Sequence, residues 1–224
     1  MIRERMKDES GMSFTELLIG MMLTSIMLLM AGSMFVQMTK ITTASNQTQN
    51  STRIASSSAK SITDVLGTAT NLAVQNSAVP EPAIVAGTSS SVTLYSYTNA
   101  DPTNPAPTKM TYTLDTTGKL TETRCTGNAS GVYWTFTTCA TTLTRTLATT
   151  IQNASATVPV LFTYRNADGT AYVIDSSGKL SDTQRKNVSS ITVQVTALPA
   201  GATGNAAVIS NTVVLRNIGL GSQS

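Results

Sequence analysis

The sequence predicts an α+β protein, with one long amino-terminal helix followed by a domain that is mainly antiparallel β-sheet. An uncharged apolar run covers residues 17–36. Apolar residues then recur at three- and four-residue steps to about residue 74, which is the period of an amphipathic helix. From residue 83 onward, short stretches rich in Val, Thr, Tyr and Ile alternate with turn residues, a pattern typical of strands.

The apolar run at residues 17–36 has the length of a membrane span. It makes about 30 Å of helix at 1.5 Å per residue, which matches a hydrocarbon core and exceeds a secretory h-region of roughly 7 to 15 residues. The leader before it, MIRERMKDESG, ends in glycine and lacks the small-x-small pattern that signal peptidase reads. We therefore expect a single span, with the basic leader inside and the remainder outside.

The long helix is expected to continue to about Val74. Asn76, Pro80 and Pro82 should end it, because proline removes a backbone donor and restricts the residue before it. The positions that make this stretch amphipathic are Ile54, Ser58, Ile62, Val65, Leu66, Ala69 and Leu72.

Two stretches of the second half repeat one pattern: YTLDTTGKL from Tyr112 and YVIDSSGKL from Tyr172. Asp bonds the backbone two residues on and Gly accepts positive φ, so both are predicted to be hairpins. A short helical or irregular stretch is expected at residues 143–151. The predicted strands cover residues 91–97, 109–114, 132–137, 160–164, 190–196 and 208–215.

Cys125 and Cys139 flank Trp134, the only tryptophan of the chain. Their expected place outside the membrane is oxidising, which favours a disulfide. Such a bond would close a loop of about fifteen residues and contribute about 3 kcal/mol in the chain-entropy model. Two roles stay open for the loop, a staple on a Thr-rich hairpin or an adhesive tip.

Composition argues against an enzyme. The 224 residues include no histidine, 12% are charged, and the formal net charge is +3. The absence of histidine removes the commonest general base, the Ser-His and Cys-His nucleophile pairs and the commonest zinc ligand. The sequence also has no phosphate-binding loop, dinucleotide fingerprint or Cys-x-x-Cys pair. We expect no catalytic site and no cofactor.

The segment GMSFTE, which starts at Gly11 and leads into the apolar run, resembles the amino terminus of the type IV pilin superfamily. Leaders in that family end in Gly, are cut on the cytoplasmic side, and leave a mature chain with Glu at its fifth position. The resemblance implies that a prepilin peptidase cuts between Gly11 and Met12 and methylates the new amino group of Met12. It also makes Glu16 the fifth residue. The family usually starts with Phe, so Met12 is a departure.

Glu16 would stand where the apolar helix begins. An ionisable group costs on the order of 2.5 to 3.5 kcal/mol at the centre of a membrane helix and less near an end, so Glu16 needs a partner. In a fibre the nearest positive charge is the amino terminus of a neighbouring subunit, and this assembly charge pair would fix the axial register. The alternative is a hydrogen bond within the first turn of its own helix.

The resemblance implies a type IV pilin-like fold and a division of the chain to match. The expected segments are a cleaved prepilin leader at residues 1–11, a transmembrane and assembly helix at 12–38, its amphipathic continuation at 39–76, an extracytoplasmic β domain at 83–218 and a tail at 219–224.

The order of elements in the second half resembles J-type minor pseudopilins and W-type minor pilins. It implies a structural minor pilin of a type IV pilus or related competence fibre, acting in assembly initiation or the tip complex. The implied partners are major and minor pilin subunits, the prepilin peptidase and the membrane platform of the assembly machine. The implied location is the cytoplasmic membrane, with one span and the C-terminus outside, and then an extracellular or periplasmic fibre.

Three alternatives stand beside this hypothesis. The first is a J-type pseudopilin of a type II secretion system. The second, from another class, is a bitopic membrane protein whose outer domain binds a ligand or DNA. DNA would need cations clustered on one face, whereas the candidates are scattered in sequence. These candidates are Arg124, Arg145, Arg165, Arg185 and Lys186.

The third alternative is calcium binding, because some pseudopilins hold calcium in an outer loop. The candidate ligands are Asn166, Asp168 and Asp175. Their Asp-x-x-Gly pattern lacks the spaced carboxylates of a recognisable calcium loop. We therefore expect no metal site.

Overall fold

The chain has the predicted α+β class, since a long amino-terminal helix packs on antiparallel β-sheet. It divides into two compact units, residues 1–46 and residues 47–224, and each is described by itself. The predicted leader and tail lie outside the described residues. The computed structural model describes residues 12–97, 106–174, 178–199 and 205–216.

Helix α1 (Phe14–Leu66) is 53 residues long and runs through Gly20 and Gly32 without a break. In the second unit one face of this helix is buried, with a three- and four-residue spacing that matches the predicted amphipathic pattern. Four of the buried side chains are Ser or Ala, and the larger ones among them, Ile62, Val65 and Leu66, belong to the apolar core. The buried residues are Ser51, Ala55, Ser58, Ala59, Ile62, Val65 and Leu66.

The predicted end of the helix near Val74 is wrong, because α1 ends at Leu66. Gly67 follows, and glycine is a poor helix former. Ala69 and Leu72, which continue the apolar spacing, are buried through isolated antiparallel bridges to Ser96 and Glu81 instead. An apolar residue every third position fits both outcomes, so the pattern alone did not locate the end.

All strand pairs in the described residues are antiparallel. A five-stranded sheet has the order β1-β2-β3-β4-β7, a three-stranded sheet has the order β10-β9-β8, and β5 pairs with β6. The strands are β1 (Ile84–Gly87), β2 (Ser91–Ser96), β3 (Thr108–Leu114), β4 (Leu120–Thr126), β5 (Asn128–Ser130), β6 (Tyr133–Thr135), β7 (Thr141–Ala148), β8 (Phe162–Arg165), β9 (Ser190–Ala197) and β10 (Ala207–Val214).

The expected interruption at residues 143–151 is wrong, because most of it belongs to β7. Alternating threonines give this stretch its strand character, and β7 pairs with β4 from Leu120 to Thr126. The helical apolar spacing of Leu143, Leu147 and Ile151 was the weaker signal.

The first copy of the internal repeat forms the predicted hairpin. Asp115 accepts hydrogen bonds from the backbone N–H groups of Thr117 and Lys119, and Gly118 has a φ of +83°. The two strands that flank this turn, β3 and β4, pair along their whole length. The predicted hydrogen bonds from the backbone to the Asp side chain and the predicted positive φ of the Gly are therefore both confirmed.

The second copy of the repeat does not form a hairpin in its described part. Gly178 has the expected positive φ, at +73°. However, the N–H of Leu180 bonds to the carbonyl of Gly87, and Ser181 then caps the short helix α2 (Asp182–Lys186) through a capping box with Gln184. A capping box strongly favours the start of a helix. This one directly follows the repeat, so the chain enters α2 there.

We predict that Gly118→Ala destabilises the second unit by about 3 kcal/mol, because the new Cβ would lie 2.5 Å from the carbonyl oxygen of Ile151 at a φ that side chains avoid. Gly169→Ala is the matched control, since its φ is +80° but nothing lies within 4 Å of its Cβ. That variant should lose only about 1 kcal/mol. Equal losses in denaturation monitored by Trp134 fluorescence would contradict the close contact.

Candidate functional site

The first turn of α1 carries the predicted assembly residues. Met12 is 71% exposed and precedes the helix. Ser13 precedes Phe14, the first helical residue, and its carbonyl accepts the N–H of Leu17. Gly11 lies outside the described residues, so the cleavage and methylation site stays a prediction.

Glu16 caps its own helix. Its Oε2 accepts a hydrogen bond from the backbone N–H of Ser13 at 3.2 Å, which is one half of a capping box. The alternative given for Glu16 from the sequence, a bond within its first turn, is therefore present. A carboxylate offers about four lone-pair sites, and one donor at 3.2 Å uses one of them. The charge pair with a neighbouring chain stays a prediction.

The apolar part of α1 is exposed throughout the first unit. Large side chains from Phe14 to Ile41 have exposed fractions of 39% to 74%. By length and composition, this is one helix that could cross a membrane. Exposure on this scale is unusual for a protein surface in water, and it suggests a membrane anchor.

The hydroxyl groups in the apolar segment are satisfied within the helix. Thr24 donates to the carbonyl of Gly20 at 2.7 Å, and Ser25 donates to that of Met21 at 2.8 Å. Ser33 likewise donates to its own helix. In a bilayer core an unsatisfied polar group costs several kcal/mol, so these bonds make the segment suited to lipid.

One side of the helix start is shallowly concave. Glu16, Gly20 and Thr24 follow each other at four-residue steps and line it together with Met12 and Leu17. A Cβ added at Gly20 would meet nothing within 4 Å in this chain. The missing side chain at Gly20 therefore serves no packing inside the described part of the molecule.

The structure joins Cys125 and Cys139 in a disulfide, with 5.2 Å between their Cα atoms. Inside the loop, β5 and β6 form a small hairpin that contains Trp134. At its base the Phe136 ring contacts Tyr95, with 5.0 Å between centroids, and Lys109 Nζ lies 5.7 Å from the Phe136 centroid. The loop is therefore closed by the disulfide and held at its base by the contacts of Phe136 with Tyr95 and Lys109.

The second unit also contains a buried carboxylate that the sequence reading missed. The Glu122 side chain is 0% exposed, and its two oxygens receive four hydrogen bonds. Arg124 Nε donates to Oε1 at 2.6 Å, and the Tyr112 hydroxyl donates to Oε2 at 3.0 Å. Arg145 donates to both oxygens, from Nε at 2.9 Å and from Nη2 at 2.8 Å. The available signal was a charged residue at an inward position of the strand LTETRCT.

This cluster connects the helix to the sheet. Arg145 Nη2 also donates to Ser61 Oγ at 2.9 Å, and the Tyr112 hydroxyl lies 3.3 Å from the Ser61 carbonyl oxygen. Burial would raise the pKa of Glu122, but the hydrogen bonds from Arg145, Arg124 and Tyr112 outweigh it, so the pKa lies below its usual range. Burial and the nearby carboxylate raise the pKa of Tyr112.

Four of the five cations considered for DNA binding, all except Lys186, have hydrogen-bond partners within the described residues. Arg124 and Arg145 bind Glu122. Arg165 donates to the Gly169 carbonyl, and Arg185 pairs with Asp182. Their charges are thus partly neutralised or tied to backbone oxygens. Among the calcium candidates, Asn166 and Asp168 are 3.5 Å apart in a turn, and Asp175 lies outside the described residues.

Comparison of the chain with protein-family models, with curated proteins and with solved structures gives no match. A long apolar amino-terminal helix on an antiparallel sheet is compatible with a pilin-like shape. The fold and the helix start are therefore the basis for a functional proposal.

We predict that Glu122→Gln destabilises the second unit by about 2 kcal/mol. Breaking a fully buried pair costs roughly 3 to 5 kcal/mol, but Arg124 and Arg145 are 37% and 48% exposed, so solvent screens part of the loss. Because the folded pKa is lowered, the contribution of Glu122 is present above about pH 4.3 and is lost as pH falls through the lower folded value. Glu122→Gln should lack this acid-dependent loss.

The control for this variant is Asp64→Asn. It removes an exposed carboxylate that pairs with Lys60 at 2.9 Å, and such pairs contribute about 0.5 kcal/mol or less. Both variants are compared with the parent by denaturation at several pH values. A Glu122→Gln stability within error of Asp64→Asn would show that the buried cluster carries no net stability.

Proposed function

We propose that this protein is a pilin-like structural subunit. A precursor is held in the membrane, is cut after Gly11, and joins a fibre through residues 12–38 while its β domain faces outward. One observation carries the proposal: a carboxylate, Glu16, at the start of an exposed, membrane-length apolar helix behind a leader that ends in glycine.

The exposed helix supports polymerisation as well as anchoring. The same apolar surface that suits lipid can pack against helices of neighbouring subunits once the chain leaves the bilayer. Gly20 and Gly32 have open space where a Cβ would stand, and small residues let helices approach closely in membranes. Around Glu16 the shallow concave side of α1 offers room for the amino terminus of a second copy.

Within this class we propose a minor pilin that acts in assembly initiation or at the fibre tip. Its partners would be major and minor pilins, the prepilin peptidase and the membrane platform. The leader residues Arg3, Arg5 and Lys7 support an amino terminus on the cytoplasmic side. The order of elements in the second half supports the minor subtype, and a type II secretion pseudopilin would use the same parts. Loss of exoprotein secretion on gene deletion, with surface fibres intact, would assign the protein to secretion.

Our first functional prediction concerns the leader. Gly11→Val should leave the precursor uncut in a cell with an active prepilin peptidase, because the family resemblance places Gly at the cut. Intact mass and amino-terminal sequencing would show residues 1–11 retained. Ser10→Ala is the matched control and should mature to a chain that starts at a methylated Met12. Normal maturation of Gly11→Val would remove the basis for the proposal.

Our second functional prediction separates the two roles of Glu16. Glu16→Gln keeps an oxygen that can accept the Ser13 N–H but removes the charge, because Gln also serves in a capping box. If the charge pair drives assembly, Glu16→Gln and Glu16→Ala should both be cut normally. Both should then fall about tenfold in sheared fibres, since a hydrogen bond to a charged group contributes roughly 1.5 to 3 kcal/mol.

The control is Thr15→Ala, which changes the neighbouring side chain and leaves the carboxylate in place. Its recovery in fibres should match the parent. If Glu16→Gln also matches the parent while Glu16→Ala does not, the residue acts only as a helix cap and the charge pair is wrong.

A further inference from the structure

Strand β10 is a long open edge of the three-stranded sheet. It pairs with β9 along all of Ala207–Val214, without a register shift. Within the described residues, no strand pairs with its other side. The backbone N–H and C=O groups that point away from β9 form a ready template for another strand.

Two of the other three edges of the larger sheets, β1 and β8, are protected. β1 has four residues and a register shift between Ile84 and Ala86, and Arg185 donates to the carbonyl of Ile84 at 3.4 Å. β8 is also four residues long, and the N–H of Tyr172 bonds to the carbonyl of Tyr164 on this strand. Short length, bulges and covering groups are the usual protections of an edge. Among the described residues β10 has none of them, and its sequence contains no Pro and no charged residue.

The sequence of β10 is nearly a palindrome in chemical character. Together with Leu215, which directly follows the strand, it reads AVISNTVVL, with Asn211 at the centre. Each residue on one side of Asn211 has a counterpart of the same class at equal distance on the other side. The counterparts are Ser210 with Thr212, Ile209 with Val213, Val208 with Val214, and Ala207 with Leu215.

We propose that β10 pairs with β10 of a second copy of this chain, antiparallel and about a two-fold axis at Asn211. The two sheets would join into one sheet of six strands. Residues opposite each other in such a pair lie on the same face. Val208 of one copy would thus meet Val214 of the other, and each hydroxyl would meet a hydroxyl.

Exposure supports a second copy as the occupant. Val208 is 52% exposed and Val214 is 57% exposed. The other exposed residues of β10 are polar: Ser210, Asn211 and Thr212. Pairing covers both valines at once in each copy. Two-fold contacts use the same patch on both subunits, which requires a self-complementary surface, and β10 has this property.

The other long open edge, β7, lacks this symmetry. β7 contains Arg145 and no acidic residue, so antiparallel self-pairing in any register would give Arg145 no opposite charge. Arg145 is also held by Glu122 within its own chain. β7 therefore serves as the internal comparison for β10.

The contact has a consequence for assembly. A two-fold contact is closed, so it cannot repeat between successive subunits of a polar fibre. It would join two copies before they enter a fibre, or two neighbouring fibres. The pairing does not depend on the proposed function. Cross-linking between copies tests the pairing, whereas leader cleavage and fibre incorporation test the proposed function.

Cysteine cross-linking of the full chain in detergent micelles tests the register. Both native cysteines are bonded to each other, so a single new cysteine is the reactive one. In Asn211→Cys, the two cysteines would stand directly opposite, with Cα atoms about 4.5 to 5.5 Å apart, which suits a disulfide. Oxidation with copper phenanthroline should give about tenfold more dimer than Thr144→Cys on β7, where no pairing between copies is proposed.

A mixed experiment gives the matched control. Ser210→Cys alone would place its two cysteines on a diagonal about 7 to 8 Å apart, too far for a disulfide, and the same holds for Thr212→Cys alone. A mixture of the two variants should cross-link, because residues 210 and 212 of different copies lie opposite. Equal dimer yields from Asn211→Cys and Thr144→Cys, or from the single variants and the mixture, would overturn the proposal.

A second measurement removes the contact. Val208→Lys with Val214→Lys, introduced into Asn211→Cys, places charges against one another across the proposed pair and should reduce cross-linking to the level of Thr144→Cys. Both side chains are more than half exposed, so the unfolding midpoint should be unchanged. Undiminished cross-linking in this variant, with folding intact, would also overturn the proposal.

Discussion

The constraint on which the structure depends is that a chain segment without water around it must satisfy its own polar groups. Helix α1 meets this constraint in two ways. In its apolar part the backbone forms an unbroken helix, and the hydroxyl groups of Thr24 and Ser25 donate hydrogen bonds to carbonyls of that helix. Between Ser51 and Leu66, one face of the same helix is buried against the apolar core of the second unit. One helix thus has an exposed apolar surface in its first part and a face buried in the protein core in its second part.

The sequence predicted what is periodic and missed what is decided by contacts far along the chain. Residues 17–36 could be assigned to a helix because their composition admits no other structure of that length. The end of α1 was missed because bridges from Ala69 to Ser96 and from Leu72 to Glu81 replace helical bonds, and those partners are not local. The first repeat was predicted correctly because Asp115 and Gly118 act within a few residues.

The candidate site shows the same division. Glu16 could be found from its neighbours in sequence, because a lone carboxylate in front of an apolar run is unusual. The Glu122 cluster could not, since Ser61, Tyr112 and Arg145 reach it from separate elements. The disulfide needed only an oxidising location and two cysteines, and the structure brings Cys125 and Cys139 together. Features that depend on neighbouring residues could be predicted from the sequence. A cluster of side chains from distant segments could be found only in the folded structure.

The two carboxylates differ in how far their surroundings fill their acceptor sites. Glu122 is surrounded by donors that fill both of its oxygens, so it has no capacity left for another molecule and stabilises one chain. Glu16 is exposed and accepts one bond from Ser13, which leaves it further acceptor capacity. A charge kept at the edge of an apolar segment with spare acceptor capacity costs free energy until a donor arrives. If the segment lies in a membrane as proposed, that cost favours a donor on another subunit, which is the physical reason why the proposed function places assembly at the start of α1.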